Sequence, residues 1–543
     1  MLDGFEGGKK WAIFGLLLAC HVYFLQIYPH FISPNELSRL LLTSAMVDDH
    51  SLSVDNAIKR YGHTQDMASF GGHYYSDKAI GVSVLGIPAF LAMRGAEFVS
   101  GIQFSTPAAI FWLRLITITV PSILFLGLFS KFWSRLKPDS KYIPHFVFLH
   151  LFGTVVFTYT MQFVSHYLLG IFLFSSACYL NEYRIDEQRP ARLLILAGVF
   201  AGFSLLLEFP AIFPVTVIGI FALTVVRVFR RFVYFAVPVV SAVVLILLCN
   251  YAIFGTPWDV TYRHMTSSFH VSAHAKGIVG IGFPTLEALY GLLFSRHHGL
   301  FFISPFLLLS LPGYYYLLAT ERWSFLAGLF IGIVVSTVLI YSAFSYWIAG
   351  WNFGPRYLTS IIPFLSTAAF YFGDDFLRKD LLSRSAFVAV AIWSVLCATI
   401  GTITFPFPPD NLTDPVFFLN IPLLLNGATG LNLFGNPWFF FTLPACTFLV
   451  MTFIPGKKLS PAKLIAPGFS FLAFTALLFT VAFLSRPAPT AMEYYARGSV
   501  YLYLGRYDRS LSEMYLALDA RPDDKSKLLI QERINHLARM VPQ

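Results

Sequence analysis

Long runs of apolar residues dominate this chain, and short polar connections separate them. A helix needs roughly 20 apolar residues to cross a bilayer, and runs of that kind recur about thirteen times. The first covers Trp11 to Tyr28, and the last two lie between Pro437 and Leu484. The pattern therefore predicts an all-α polytopic membrane protein.

Four polar segments punctuate the apolar runs: Ser33 to Lys78, Gly255 to His298, Tyr346 to Tyr357, and Pro406 to Pro437. The remaining connections between apolar runs carry more Lys and Arg than the four polar segments, which marks them as cytoplasmic and the four segments as external. An apolar stretch with Pro88 and Arg94 is expected at the membrane surface. The basic connections contain Lys9, Lys10, Lys131, Arg135, Lys137, Lys141, Arg184, Arg189, Arg192, Arg227, Arg230, Arg231, Arg378, Lys379, Lys457 and Lys458.

Composition supports the membrane prediction, because 56% of the residues are hydrophobic and only 12% are charged. The net charge of +9 does not indicate nucleic-acid binding, since the basic residues fall in short clusters between apolar runs. No small-residue cleavage site follows the first run, so we expect an uncleaved span with its N-terminus inside. The five cysteines lie within apolar runs and predict neither disulfides nor a metal cluster: Cys20, Cys178, Cys249, Cys397 and Cys446.

The composition changes at Arg486, and the remainder reads as soluble helix. We therefore expect a membrane domain over 1–485 and an external helical tail over 486–543. The tail resembles a tetratricopeptide repeat, with Ser510 and Met514 departing from the usual residues. One such unit does not bury a core alone, so we expect it to pack on the membrane domain or on a partner. The matching positions are Gly498, Tyr501, Gly505, Tyr507, Ala517 and Pro522.

The stretch after the first run, "SPNELSRLLLTSAMVDD", admits two interpretations. Ser33 and Glu36 have the spacing of a capping box, with Pro34 at the first helical position. Apolar residues then recur on one face, which predicts a helix on the membrane surface. Alternatively, Glu36 is a catalytic carboxylate, and the later acidic residues are solvated turn residues or secondary site residues: Asp48, Asp49 and Asp55.

One carboxylate beside a membrane suits a particular reaction. A sugar on a polyprenyl phosphate carries its own leaving group, so displacement by a hydroxyl needs a single base and cations for the departing phosphate. Cations and stacking rings occur in the external segments, although each alone would equally serve as an interface anchor. These residues are Lys78, Arg296, His297, Arg356, Trp347 and Trp351.

Several short motifs make a family resemblance specific. An acidic residue follows the first span, "YYSDKAIG" returns the loop to the membrane, "FWLRLITITVPS" carries Arg114, and "GWNFGPRYL" comes late. In this order they resemble the GT-C glycosyltransferases, in the bacterial branch near protein O-mannosyltransferases and lipid A aminoarabinose transferases. The likeness covers most of the membrane domain and implies a GT-C-type bundle with surface helices in its first external loop.

The resemblance also implies roles. Glu36 would be the base, with Asn35 in place of the family's usual Asp, and Lys78 would contact the donor. Arg114, Arg356 and His166 would bind the donor's phosphate or sugar, and the loop cations Arg296 and His297, which the family motifs do not include, would assist them. Glu208 stands where the aminoarabinose transferases have Lys-Gly, so it would bind the acceptor or a cation. Further secondary positions are Tyr75 and Asp77.

Taken together, we expect an inverting transferase in the cytoplasmic membrane of a bacterium, with its C-terminus outside. It would move a sugar from a polyprenyl-phosphate donor to a protein, lipid or glycan hydroxyl. A transporter or flippase is disfavoured because no internal repeat is evident, and a scaffold because anchoring needs few spans. His63, Asp66, His73 and the His297–His298 pair leave a divalent metal open, without a recognised spacing.

Overall fold

The computed structural model describes residues 7–226, 228–431, 484–485 and 488–540. The last two predicted spans, Cys446 and the end of the fourth polar segment lie outside these residues. The described part of the chain is mostly helical, which confirms the main prediction. Its first half contains α1 Gly7–Phe24, α2 Pro34–Asp48, α3 Asp55–Tyr61, α4 Gly81–Ser100, α5 Thr106–Leu136, α6 Ile143–Phe152, α7 Val156–Tyr159, α8 His166–Ile185, α9 Ala191–Leu207, α10 Ile212–Val225 and α11 Phe229–Phe254.

The second half begins with short helices and then returns to long ones. It contains α12 Ser268–His274, α13 Leu286–Leu293, α14 Leu300–Ile303, α15 Ser310–Ala319, α16 Glu321–Ser342, α17 Ile362–Phe376, α18 Leu381–Ile403, α19 Ile421–Leu425, α20 Ala491–Tyr503, α21 Tyr507–Asp519 and α22 Asp524–Leu537. Single turns with 3-10 geometry precede several of them, at Phe209–Ala211, Thr261–Arg263, Pro305–Leu309 and Arg356–Ile361. Two turns have π geometry, at Arg114–Thr119 within α5 and at Val416–Asn420.

Five described helices are long and apolar enough to cross a membrane: α4, α5, α11, α16 and α18 from Leu382. Six shorter apolar helices accompany them. The total of about thirteen spans therefore stays a prediction. The stretch with Pro88 and Arg94 forms α4, which has the length and hydropathy of a span, and its expected place at the surface is likewise untested.

A small β-hairpin corrects the all-α prediction. Strands Met67–Phe70 and His73–Ser76 pair antiparallel, with Phe70 opposite His73. Gly71 and Gly72 form the turn with φ of +60° and +83°, the left-handed values that a tight hairpin turn requires. The Gly-Gly dipeptide between alternating residues was the sequence signal for this hairpin.

The helix after the first span begins at Pro34, as predicted, but it is neither capped nor placed as expected. Ser33 makes no capping hydrogen bond, and the Glu36 carboxylate points into the protein toward Arg114. The apolar residues predicted to face the membrane are buried, with Leu40 at 0% exposure. Packing of α2 against α4 covers this face instead. The capping box and the surface orientation were therefore wrong.

Close helix packing in the bundle relies on small residues. Gly198 and Gly202, one turn apart on α9, face the backbone of α11 at Phe235 and Pro238. A methyl group at either glycine would collide with those carbonyl groups. The spacing is the small-residue pattern by which membrane helices approach each other.

Contacts between connections confirm how the sequence grouped them. Lys137 forms an ion pair with Asp375 at 2.7 Å, and Arg378 donates to the Asp139 carbonyl, so these basic connections share one end of the bundle. The Ser33–Lys78 segment, α12 and the turn around Trp351 share a cavity at the other end. The compartment that each end faces stays a prediction.

The C-terminal segment packs on the rest of the chain, one of the two expected alternatives. Helices α20 and α21 pair and α22 closes over them, with Met514 and Ala517 fully buried. The Glu493 carboxylate accepts hydrogen bonds from the Thr413 N–H and hydroxyl, at 2.9 and 2.7 Å. The Tyr501 hydroxyl accepts one from Asn426 at 2.8 Å. The tetratricopeptide character itself stays a prediction.

Candidate functional site

The polar segments enclose a cavity of about 580 Å³, within the roughly 300–1,000 Å³ typical of ligand pockets. One end is rich in charged groups and the other in aromatic rings. Five residues selected from the sequence line it: Asp77, Lys78, Glu208, Trp351 and Arg356. Among the other lining residues, the sequence analysis considered Asp66 only as a possible metal ligand and Asn35 only as the neighbour of the predicted base, and it missed Tyr262, Tyr346, Asp410 and Tyr503.

Glu36, the predicted base, lies behind the cavity wall. Its side chain has no solvent exposure. Arg114 donates to both carboxylate oxygens, at 2.6 and 2.5 Å, and the Phe163 N–H donates to one of them at 2.7 Å. A general base must reach the proton that it takes. Glu36 and Arg114 therefore form a buried pair outside the cavity lining, and their roles as base and donor contact stay predictions.

Its neighbours Pro34 and Asn35 are the residues of α2 that line the cavity. Successive residues of an α-helix differ by about 100° in direction, so the side chain of Glu36 points away from the surface on which Asn35 lies. The Asn35 side-chain oxygen accepts a hydrogen bond from Arg39 at 2.9 Å. The position that faces the cavity thus carries a neutral amide.

Lys78 lies in the cavity wall as predicted, between two carboxylates. Its ammonium is 2.8 Å from Asp66 and 2.9 Å from Asp77. Burial raises the pKa of Asp77 to about 6, although the Lys78 ammonium opposes this shift. Ser38 also donates to Asp77, at 3.5 Å. The group consequently gains net positive charge when Asp77 takes up a proton.

Arg356 lines the same end of the cavity. No described carboxylate lies within 4.0 Å of its guanidinium, and its Nε is buried without a hydrogen-bond partner. The Tyr357 ring lies beneath it, with 5.4 Å between the guanidinium carbon and the ring centroid. A buried guanidinium costs free energy unless an anion compensates it. The geometry therefore favours an anionic ligand here.

Glu208 also lines this end of the cavity, and neighbouring side chains hold its carboxylate in place. It accepts hydrogen bonds from Ser165 and from Arg39, the latter at 3.4 Å, and its carboxylate lies 3.9 Å from His166. The cation that Glu208 binds is therefore Arg39 of the chain itself. His166 begins α8, as its position suggested, and supports Glu208 rather than lining the cavity.

Other predicted donor contacts lie elsewhere. Arg296 pairs with Asp414 at 3.0 Å and donates to Ser485 at 2.6 Å. His297 stacks on His298, with 3.8 Å between ring centroids. Trp347 packs against Gly291 and His298. None of these three residues is among those that line the cavity, so their assignment to the site stays a prediction that this cavity does not support.

The remaining acidic residues of the first loop hold its fold together. Asp48 pairs with Arg94 at 2.6 Å, and Asp49 with Arg60 at 2.5 Å. Asp55 accepts hydrogen bonds from His73 and from the Tyr74 N–H, at 2.6 and 2.8 Å. These bonds outweigh partial burial and lower its pKa. Tyr75 pairs within the hairpin. In this structure Asp48, Asp49, Asp55 and Tyr75 contribute to the fold of the loop. This is closer to the interpretation as turn residues than to the interpretation as secondary site residues.

Rings from three parts of the chain form another part of the cavity lining. Phe31 and Trp351 are parallel within 9°, with centroids 6.2 Å apart. Tyr503, from the C-terminal segment, lies 5.5 Å from Phe31 and 5.9 Å from Trp351. Nearby, the Tyr346 hydroxyl donates to Asp410 at 3.1 Å. Nothing in the local sequence signalled that these distant segments meet.

Searching the described residues for a metal site finds no group of three or more His, Cys, Asp or Glu side chains arranged to hold an ion. The imidazole of His73, one of the suggested ligands, binds Asp55 instead.

Comparisons with known proteins give a likeness among solved structures. No protein-family model matches the chain, and no curated protein does. Among solved structures, the chain is similar to ArnT from Cupriavidus metallidurans, bound to undecaprenyl phosphate, with a TM-score of 0.48 and 12% sequence identity. The match covers 94% of this chain and 80% of that chain. At this level of similarity the functional argument rests on the chain's own residues.

Proposed function

We propose that this protein is a membrane glycosyltransferase that moves a sugar from a polyprenyl-phosphate donor to an acceptor hydroxyl. The reaction would take place at the outer face of a bacterial cytoplasmic membrane, because the cavity belongs to the segments poor in Lys and Arg. The motif order of the GT-C enzymes and the chemistry of the cavity support this proposal independently.

Arg356 is the observation that carries the proposal. Its guanidinium is half-buried in a cavity wall and has no carboxylate partner among the described side chains, while other arginines near the cavity, Arg39 and Arg114, are paired. Arginine presents donors in a planar fork that matches phosphate oxygens. A departing phosphate would supply the missing anion, and the stabilisation would grow as negative charge develops on the leaving oxygen.

Lys78 would assist at the same end. Asp66 and Asp77 offset its charge, so a second anion is accommodated best when Asp77 is protonated. Among the described residues the cavity thus offers Arg356, which has no carboxylate partner, and Lys78, whose charge is offset by one carboxylate fewer after proton uptake. This arrangement supports a ligand of one negative charge, such as a phosphodiester, over a highly charged nucleotide.

The displacement also needs a proton acceptor across the sugar from the phosphate. Asp66, Asp77 and Glu208 are paired with cations, whereas Asp410 forms no ion pair with any described side chain and accepts from the Tyr346 hydroxyl. In the proposed step the acceptor oxygen bonds to the anomeric carbon as the carbon–oxygen bond to phosphate breaks. Asp410 takes the hydroxyl proton, and polyprenyl phosphate leaves with the electron pair.

Lipid binding tests the phosphate end directly. Wild-type protein in nanodiscs should bind undecaprenyl phosphate in preference to undecaprenol, as measured by native mass spectrometry. Arg356→Gln should lose most of that preference, about tenfold or more for a charge-assisted contact. Transfer of label from a radiolabelled polyprenyl-phosphate sugar should fall about 100-fold, the usual cost of one transition-state donor.

Arg135→Gln is the matched control, because Arg135 is exposed and pairs with Glu182 at the opposite end of the bundle. It should keep both lipid preference and transfer. Equal binding of the two lipids by the wild type, or an unchanged preference in Arg356→Gln, would contradict the proposal.

A further inference from the structure

Three rings form what we call the aromatic wall: Phe31, Trp351 and Tyr503. Each is partly exposed and lines the cavity. Phe407 backs the wall, with 5.0 Å between its centroid and that of Phe31. Ring faces directed into a cavity are a surface on which a flat, weakly polar ligand stacks.

The C-terminal segment is fixed where it supplies Tyr503. Tyr503 is the last residue of α20, and its carbonyl accepts from the His30 N–H at 3.3 Å. The Tyr507 hydroxyl and the His30 imidazole are 2.9 Å apart. On its other side the segment is bonded to the fourth polar segment through Glu493 and Tyr501. The C-terminal segment therefore forms part of the cavity wall.

The turn that presents Trp351 has an unusual backbone. Ala349 has φ of +66° and Gly350 has φ of +74°. The left-handed region disfavours alanine, and such residues concentrate at ligand sites where the surrounding structure enforces them. Both residues line the cavity. A substituent on Gly350 would lie 3.2 Å from the Tyr346 hydroxyl, which bonds Asp410.

We propose that the aromatic wall and Asp410 form a subsite for a pyranose ring of the acceptor, and that the C-terminal segment completes it. This inference deepens the proposed function and rests on it for the word acceptor. The apolar face of the ring stacks on Trp351 and Tyr503. Ring hydroxyls donate to Asp410, which is half-buried and not ion-paired with any described cation.

A prenyl chain is the competing occupant, and the polar groups argue against it. A carboxylate and a tyrosine hydroxyl facing the same space would lose hydration against hydrocarbon with nothing in return. A pyranose restores those hydrogen bonds and also offers C–H groups to the rings. The donor phosphate lies at the charged end of the cavity, which leaves the aromatic end for the acceptor.

Saturation-transfer NMR tests the subsite without any donor. Full-length protein is placed in lipid nanodiscs, since maltoside detergents carry the ring under test, and a panel of methyl gluco-, galacto- and mannopyranosides is added. At least one should receive saturation at its ring protons. The signal should fall about fivefold in Tyr503→Ala, the loss expected for one stacking contact. Tyr503→Phe should restore it, and Asp410→Asn should weaken it.

Tyr515→Ala is the control, because Tyr515 belongs to the same segment and is 52% exposed. It should leave the signal unchanged, and melting temperatures should match across the set. No saturation of any pyranoside by the wild type, or an equal signal in Tyr503→Ala, would overturn the proposal. A Tyr503-dependent signal on farnesyl phosphate alone would also overturn it, in favour of the lipid.

Two competition arms separate the sources of the ring. Retention of the pyranoside signal when undecaprenyl phosphate carrying the same sugar is added assigns the subsite to the acceptor. Displacement by that lipid, but not by undecaprenyl phosphate, assigns it to the donor's sugar and overturns the acceptor proposal. Failure of the Arg356 experiment with a Tyr503-dependent signal would instead reject transfer while leaving a sugar site in place.

Discussion

Two neighbouring regions of the molecule differ in whether their charged side chains have ion-pair partners. Behind the cavity, Glu36 and Arg114 satisfy each other completely, and the Phe163 N–H fills the remaining position on the carboxylate. In the cavity wall, Arg356 and Asp410 have no ion-pair partner among the described residues. The first region is closed to any ligand, whereas the second is open to one.

The difference shows why a charged residue near a membrane is weak as a sign of catalysis. A buried pair that is fully hydrogen-bonded stabilises a particular packing of helices, and losing one partner is costly. An open group contributes little to that packing, so its presence is explained by a ligand. Substitutions in the closed layer should therefore change stability, and those in the open wall should change binding and turnover.

The largest expected effect lies in the closed layer. Glu36→Gln leaves the Arg114 guanidinium buried without its counterion, so the free energy of unfolding should fall by roughly 3–5 kcal/mol. SDS-titrated unfolding in bicelles measures this loss. The double variant Glu36→Leu with Arg114→Met removes both charges and should recover much of it, because a buried pair is often replaced by apolar residues without net cost.

A different outcome would reverse the assignment. If Glu36→Gln kept wild-type stability and abolished transfer, Glu36 would act chemically, as the family resemblance implied. The double variant Glu36→Leu with Arg114→Met would then also lack transfer. Both measurements are needed, since a destabilised enzyme loses activity whatever its mechanism.

Several features of the fold and site could be predicted from the sequence. Apolar runs gave most helices, and the first loop's return to the membrane gave Lys78 its place in the wall. Arg356 was found by its position at the mouth of a span. These predictions succeeded because two features can be recognised in local sequence. Apolar runs indicate the helices, and the Lys and Arg content of each loop indicates the side of the membrane on which it lies.

The failures concern direction and partnership. Asn35 and Glu36 are adjacent, and only the phase of the helix decides which of them faces the cavity. The pairing of Glu36 with Arg114 spans 78 residues, and Tyr503 meets Trp351 across far more of the chain. Such contacts follow from tertiary packing, so local patterns do not reveal which charges are already satisfied.

A smaller effect is expected at Arg296, a closed pair that is partly solvated. Its side chain is 27% exposed, while its partner Asp414 is nearly buried. Arg296→Gln should lower the free energy of unfolding by roughly 1–2 kcal/mol, between the costs of exposed and buried pairs. Undecaprenyl phosphate binding should stay within twofold of wild type, about the limit of such comparisons.

This variant discriminates sharply because the sequence analysis assigned Arg296 to the donor as a cation of an external loop. If Arg296→Gln lost lipid binding without losing stability, Arg296 would belong to the site. The presence of an ion-pair partner would then no longer separate structural charges from ligand-binding charges. Arg384→Gln is a suitable reference, since that arginine donates to the Leu377 carbonyl without a carboxylate partner among the described side chains.

The smallest effect is expected at Lys78. This residue has carboxylate partners, like the charges behind the cavity, but it lines the cavity, like Arg356. Burial raises the pKa of Asp77 to about 6, above its unfolded value, so Asp77 becomes protonated as the pH falls through that region. Protonation leaves Asp66 as the one ionised carboxylate within ion-pair distance of Lys78 among the described residues, and a phosphodiester stays singly charged throughout this range. Donor KM should therefore be about three- to tenfold lower at pH 5.5 than at pH 7.5, as one linked proton allows.

Asp77→Asn imitates the protonated form, so its KM should be low at both pH values and its profile flat. Steady-state transfer in nanodiscs measures KM, and melting temperatures at each pH show that folding is unaffected. A wild-type KM that rises as the pH falls would mean that Asp77 must be ionised to bind the donor. Lys78 would then be a closed charge like Arg114, and Arg356 would bind the phosphate alone.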